Sequence, residues 1–253
     1  MPPLLEAAAI LLAGVAAGGI NTVVGSGTLI TFPTLLAFGV PPVTANVSNN
    51  IGLAPGSVSG AIGYRRELAG QRARVLRLAS ASLIGGVVGA VLLLVLPADA
   101  FETVVPVLIG VGVLMVLLQP RISRAVASRR RAAAGVRPDP RWTWPATLAT
   151  GVYGGYFGAA QGVILMGVLG IGIDESLQRL NAVKNVLAAI VNGVAGLVFV
   201  VVADVDWWIV LLIAVGSVVG AQLGAAFGRR LPPTALRAVI VVVGLVAMAG
   251  FLL

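Results

Sequence analysis

No cysteine and no histidine occur in the 253 residues, and of the seventeen basic side chains only Lys184 is a lysine. Without cysteine there is no disulfide framework and no thiolate metal site. Without histidine the usual general base is missing, so the "GSG" at 25–27 does not read as the nucleophile of a serine hydrolase. Acids are scarce too. Glu6, Glu67, Asp99, Glu102, Asp139, Asp174, Glu175, Asp204 and Asp206 are all there are, and each lies at the end of an apolar run or in a loop. That leaves no carboxylate cluster to hold a catalytic metal and no carboxylate at depth to relay protons. No Gly-rich loop followed by Lys and Ser or Thr is present, so a nucleotide-phosphate loop is also absent. The chain is not expected to be an enzyme, and it needs no cofactor and no metal.

Apolar residues make up 58 % of the chain and charged residues 10 %, against about a quarter charged in soluble globular domains. Between Glu6 and Arg65 no charged residue occurs, and further uncharged runs cover 78–98, 103–120, 142–173, 185–203, 207–228 and 238–253. A helix needs roughly 20 such residues to cross a hydrocarbon core about 30 Å thick. The pattern predicts an all-α polytopic membrane protein, multi-pass in the cell (inner or plasma) membrane. About eight helices are expected near 4–24, 43–64, 76–96, 103–118, 146–160, 178–203, 207–227 and 233–253, with shorter apolar pieces at 27–39 and 162–173. The start, "MPPLLEAAAILLAG", has no basic stretch before its apolar residues, so a cleaved leader is not expected. The net charge of +8 comes from arginines between apolar segments, as in "RRELAGQRARVLR" and "RISRAVASRRRAAAGVRPDPR". They read as orientation signals and lipid-headgroup contacts, not as a nucleic-acid surface.

The chain also matches itself. Asn46, Asn49, Asn50 and Ser57 recur at a constant shift of 135 as Asn181, Lys184, Asn185 and Asn192, and Gly85 and Gly89 correspond to Gly216 and Gly220. Ordered matches across successive segments predict an internal repeat. The first repeat covers 1–118, a basic cytoplasmic linker 119–145, and the second repeat 146–253. The positive-inside rule puts the basic runs at 65–77 and 121–141 in the cytoplasm and the acidic turns at 97–102 and 203–207 outside. If the fifth helix and its short follower form a re-entrant hairpin, Arg179 and the run at 228–237 fall inside as well. Two repeats of opposite orientation are therefore expected, each a Gly-broken hairpin plus three spanning helices.

Two features could carry chemistry. In "LNAVKNVLAAIVNG", Asn181, Asn185 and Asn192 sit at offsets of four and eleven, on one helical face, with Lys184 beside it. Lys184 is expected on the order of 10 Å from its helix start. There it either snorkels to the headgroups or faces inward and attracts an anion, since no acid is available as its partner. The asparagines and Ser57 serve either as interhelical glue or as donors in a shared site. The second feature is the pair of breaks, Gly25, Ser26, Gly27 and Thr28 in the first half, and Gly158, Gln161 and Gly162 in the second. A helix starting after such a break points unpaired N–H groups and the positive end of its dipole at the gap. Two such starts meeting near the midplane would make an anion site. The Gly85/Gly89 and Gly216/Gly220 pairs are read as close helix packing.

"GGINTVVGSGTLITFPTLLAFGVPPVTA" with its following Asn-bearing helix, and "GVYGGYFGAAQGVILMGVLG" followed by "LNAVKNVLAAIVNGVAGLVF", resemble the two halves of the TauE/SafE (sulfite exporter, DUF81) family of bacterial membrane transporters. The resemblance spans essentially the whole chain. It implies a duplicated helical transporter for sulfite, sulfonates or other sulfur-containing anions. The usual Gly triplet is interrupted here by Ser26 and Thr28, and Ala160 and Gln161 stand in the second break. The expected partners are thus a small anionic substrate and the lipid bilayer, and assembly into a homo-oligomer stays open. An anion channel and a non-transporting scaffold are the alternatives.

Overall fold

The computed structural model describes residues 3–132 and 139–227 and a few more between 238 and 245. The helix predicted near 233–253 and the arginine run at 228–237 lie largely outside the described residues. Within them the chain is helical throughout and contains no strand. The helices are α1 (Leu4–Val23), α2 (Thr28–Ala37), α3 (Pro42–Gly63), α4 (Arg72–Val95), α5 (Ala98–Ala132), α6 (Thr143–Tyr156), α7 (Gln161–Gly172), α8 (Leu177–Val202) and α9 (Trp207–Phe227), with a short 3₁₀ turn at Arg65–Leu68.

The ends of these helices follow local chemistry. Pro42 opens α3, where its missing N–H costs nothing. Ser176 caps α8 by accepting the Arg179 N–H at 3.3 Å, and the Asp206 carboxylate caps α9 through the N–H groups of Trp208 and Ile209. α1 stops because Gly25 takes a φ of 92°, and α6 stops where Gly158 takes 78°. Ala160, just before α7, holds a φ of 60°, the one described non-glycine residue in the left-handed region. α5 departs from expectation. Its apolar run was expected to end near 118, yet the helix continues to Ala132 through the arginines and alanines of the basic segment, residues with high helix propensity.

Among the described residues, five helices are long and apolar enough to cross a membrane: α1, α4, Asp99–Arg121 of α5, α8 and α9. α3 is comparably long, but it carries Asn46, Ser48, Asn49, Asn50, Ser57 and Ser59, and it buries all six inside the protein.

α3 and α8 cross in the middle of the molecule; α9 packs on α3 and α1, and α4 packs on α8 and α6. The two outer pairs are set by glycine. An added Cβ at Gly18 would strike the Ser217 carbonyl and one at Gly220 the Val15 carbonyl, both in the α1/α9 contact. At the α4/α6 contact, a Cβ on Gly85 would meet Leu148 and one on Gly89 would meet Val152. Lipid tails are as apolar as the helices, so such close backbone approach replaces the hydrophobic effect as the source of association. In both pairs the residue numbers rise together, so α1 runs parallel to α9 and α4 parallel to α6. α6 and α7 double back on each other, with Gly172 at the end of α7 lying against Trp142 and Thr143 at the start of α6.

Candidate functional site

The site begins with helix ends that the sequence leaves unfinished. Where α1 breaks, its last carbonyls have no N–H four residues on to accept from. Lys184 reaches them from α8, donating to the Asn21 carbonyl at 2.8 Å and to the Thr22 carbonyl at 3.3 Å. Asn181 and Asn185 add their Nδ2 groups to the same Thr22 carbonyl, at 3.0 and 3.3 Å. The negative end of the α1 dipole is thereby faced by a cation and two amides. Lys184 is 0 % exposed, so its stem does not snorkel to the surface.

The two breaks touch. The Gly162 N–H donates to the Gly25 carbonyl at 2.9 Å, and a side chain on either glycine would collide with the backbone of the other. At the start of α2 the Gly27 N–H donates to the Asn21 side-chain oxygen at 2.8 Å. Two of the backbone donors expected to face a ligand are therefore already engaged inside the protein. Further along, Asn192 donates to the Ser57 hydroxyl at 3.0 Å, joining α8 to α3.

Between these groups lies a small, partly open cavity lined by Asn21, Thr22, Gly25, Thr28, Ser57, Gly158, Gln161, Gly162, Lys184, Asn185, Ala188 and Asn192. Lys184 is the only ionisable residue on that lining. Gln161 is buried and its Nε2 has no hydrogen-bond partner among the described residues. A buried donor without an acceptor costs about 1–3 kcal/mol unless something supplies the missing oxygen. Among the described residues the lining thus combines one cation and one unused amide donor with no carboxylate, a set whose charge complements a small anion.

The sequence model of the family described as "Sulfite exporter TauE/SafE" matches residues 10–251. The chain belongs to the TauE/SafE family. Among the relatives of this TauE/SafE protein is the Escherichia coli K12 protein described as "Probable membrane transporter protein YfcA", 28 % identical over 237 residues that cover 93 % of this chain and 86 % of that one. A Sinorhizobium protein described as "Probable membrane transporter protein ORF9" is 27 % identical over 245 residues, 93 % of this chain and 88 % of its own. A Bacillus subtilis protein described as "Probable membrane transporter protein YdhB" is 27 % identical over 233 residues, 90 % and 91 % of the two chains. No solved structure matches the chain. The family and these relatives are described as transporters, not enzymes, in line with the catalytic groups the TauE/SafE sequence lacks.

Of the residues singled out from the sequence, the cavity brings together Gly25, Thr28, Ser57, Gly158, Gln161, Gly162, Lys184, Asn185 and Asn192. The others stand behind it. Asn181 holds the Thr22 carbonyl, and Asn46 does the corresponding work at the other break, donating to the Tyr156 carbonyl at 2.9 Å where α6 ends. Asn49 is taken up by Thr31 and Thr28 of α2, at 2.5 and 3.4 Å. Asn50 and Ser26 are buried, each with a side-chain oxygen that has no partner among the described residues, but neither lines the cavity. Gly27 gives its N–H to Asn21 and is also off the lining. Asn21, Thr22 and Ala188 were not expected. Asn21 and Thr22 lie in "GGINTVVGSG" directly before the first break, and the orphan carbonyls that any broken helix must leave were the available signal.

Proposed function

We propose that this TauE/SafE protein moves a small anion, sulfite or a related sulfur oxyanion or organosulfonate, out of the cell by alternating access at the cavity between its two halves. The observation that carries this reading is Lys184: a cation at 0 % exposure, held by carbonyls alone, on a cavity lining with no acid. A buried charge without a counter-charge is costly, and an anion is the solute that relieves it. The unused Gln161 amide supplies a second, directional contact.

The duplicated architecture in this proposal, two inverted repeats joined by the basic segment and crossing the cell membrane several times, draws on the pairing of contacts. α1 with α9 corresponds to α6 with α4, and Asn181 at the end of α1 to Asn46 at the end of α6. Asn192 and Ser57, equivalent positions at the 135-residue shift, bond directly to each other, a contact that supports a pseudo-twofold axis passing beside them. A site between such repeats suits a carrier that exposes it to one side at a time. Export of a monoanion from a cell negative inside is favoured by roughly 2.3 kcal/mol per 100 mV, so it needs no second ion.

The test is flux from proteoliposomes holding the purified protein and labelled sulfite or taurine. Saturable efflux that accelerates with external unlabelled anion is the expected result. An ohmic current would make the protein a channel, and no flux of any small anion would make it a scaffold.

A further inference from the structure

Two layers of side chains lie between the level of the cavity and the arginine-rich end of the molecule. α7 leads from Gln161 on the cavity lining towards that end, and on the way Leu165, Leu169 and Ile173 pack with Leu180 and Val183 of α8 and Leu78 of α4 in an apolar cluster distinct from the main core. Beyond this plug lies a charged layer. Arg74 of α4 makes a two-pronged pair with Asp139, at 2.6 and 2.9 Å, and also faces Glu175 at 3.6 Å. Arg179 of α8 pairs with Glu175 at 2.7 Å and donates to the Ala69 carbonyl at 3.0 Å. Gln71 binds the Arg179 carbonyl at 3.2 Å and accepts from Arg74.

The bonds from Arg74 to Asp139 and Glu175, from Arg179 to Ala69 and from Gln71 to Arg179 cross one seam, with the start of α4 on one side and the residues leading into α6 and α8 on the other. Leu78, on the α4 side, cannot leave the α7 and α8 members of the plug without opening that same seam. The opposite end has no such layer: its described turns carry Asp99, Glu102, Asp204 and Asp206 and no arginine or lysine.

We propose that the plug and the charged layer together form the inner gate of the transporter, with Arg74, Asp139, Glu175 and Arg179 as a latch that must release for the cavity to open to the cytoplasm. The inference rests on the reading of the cavity as a transport site. The degree of burial suits a latch more than a permanent staple. Arg74 and Asp139 are 18 % and 16 % exposed, and Arg179 and Glu175 are 31 % and 23 % exposed. Water can therefore take up the separated charges at modest cost, whereas opening a fully buried pair would strand two unsolvated ions. The layer holds the closed state without locking it.

The natural absence of cysteine makes the test direct. Ala188 lines the cavity, so Ala188→Cys is the only thiol in the chain. Its reaction with a membrane-impermeant sulfonated thiosulfonate is followed in inside-out and right-side-out vesicles. Combining it with Asp139→Asn and Glu175→Gln, which removes the pairs of Arg74, Arg77 and Arg179 with these carboxylates, should raise the rate from the cytoplasmic face about tenfold, a bias typical of losing several partly exposed pairs. The rate from the other face should fall. Arg74→Gln, which removes the shared cation by another route, should act in the same direction, while Asp139→Glu stays near the parent. An unchanged cytoplasmic rate in both neutralised proteins overturns the gate while leaving the anion site standing. A thiol silent from both faces in every variant removes the cavity as a solute route, and with it the transport reading and the gate.

Discussion

Replacing Lys184 with methionine keeps an unbranched side chain of similar length and removes the only charge on the cavity lining. An anion seated about 4 Å from the ammonium would gain about 4 kcal/mol at an effective dielectric constant of 20. The carbonyls of Asn21 and Thr22, at 2.8 and 3.3 Å, already share that charge. Taking half of the attraction as what the anion feels leaves about 2 kcal/mol, or about 30-fold in affinity. The fold should survive the change. Thr22 keeps the amides of Asn181 and Asn185, and only the Asn21 carbonyl loses its donor, at about 1–3 kcal/mol. The assay is the initial rate of sulfite efflux from proteoliposomes at a clamped potential, as a function of internal sulfite. Lys184→Met should raise KM about 30-fold, and Lys184→Arg, which keeps the charge, should raise it much less. A methionine variant with the KM of the parent would refute the reasoning, and the lysine would then be only a plug for the end of α1.

Gln161→Leu removes the unused amide donor at nearly constant volume, and the loss of a hydrogen bond to a charged group, about 1.5–3 kcal/mol, should raise the sulfite KM about tenfold or more. Gly18→Ala forces a methyl against the Ser217 carbonyl and should lower the thermal midpoint in detergent by about 5 °C or more. Gly193→Ala meets nothing within 4 Å and should leave it unchanged or raise it. The latch has its own pH signature. Burial alone would raise the Glu175 carboxyl, but the hydrogen bond and charge of Arg179, together with the charge of Arg74, outweigh it and hold the group below its ordinary value of 4.5. A depressed carboxyl contributes stability that is fully present above the ordinary value and is lost as pH falls through the lower, folded value. The ratio of Ala188→Cys labelling rates from the two faces should therefore stay flat between about pH 5.5 and 8 and shift towards the cytoplasmic face only in stronger acid. A shift near neutrality would assign the latch to a different group.

Much of the helix layout was legible because its causes are local. Uncharged runs, the glycines at 25 and 158 and the prolines that open helices act within a turn of where they stand, and the observed bounds of α1, α3 and α7–α9 fall within a residue or so of the expected ones. α5 ran past its expected end because hydropathy marks where a lipid-facing stretch stops, and an Arg/Ala-rich helix has no reason to stop there. At the site, the offsets of Asn181, Asn185 and Asn192 predict a shared face, and in the structure Asn181 and Asn185 both donate to the Thr22 carbonyl while Asn192 donates to Ser57. They could not say what would cross it. The same spacing in the first half put Asn49 onto the threonines of α2 and Asn46 onto the end of α6, so that face became scaffold for the site without lining it. Backbone carbonyls carry no letter in the sequence, which is why Asn21 and Thr22 were overlooked. The pairing of Arg74 with Asp139 was equally silent, because a charge pattern fixes the side of the membrane and leaves open which residues far apart in the chain will meet.

The hydrogen bond between Gly162 and Gly25 ties the tip of one broken helix pair to the tip of the other, backbone to backbone, with no side chain between them. Either tip moves away from its neighbour only at the loss of that bond, about 1 kcal/mol. In the proposed carrier, retreat of one tip therefore either draws the other along or breaks the tether. For the proposed carrier, tips joined in this way disfavour a continuous aqueous thread from one compartment to the other, so solute would pass without an open pore ever forming.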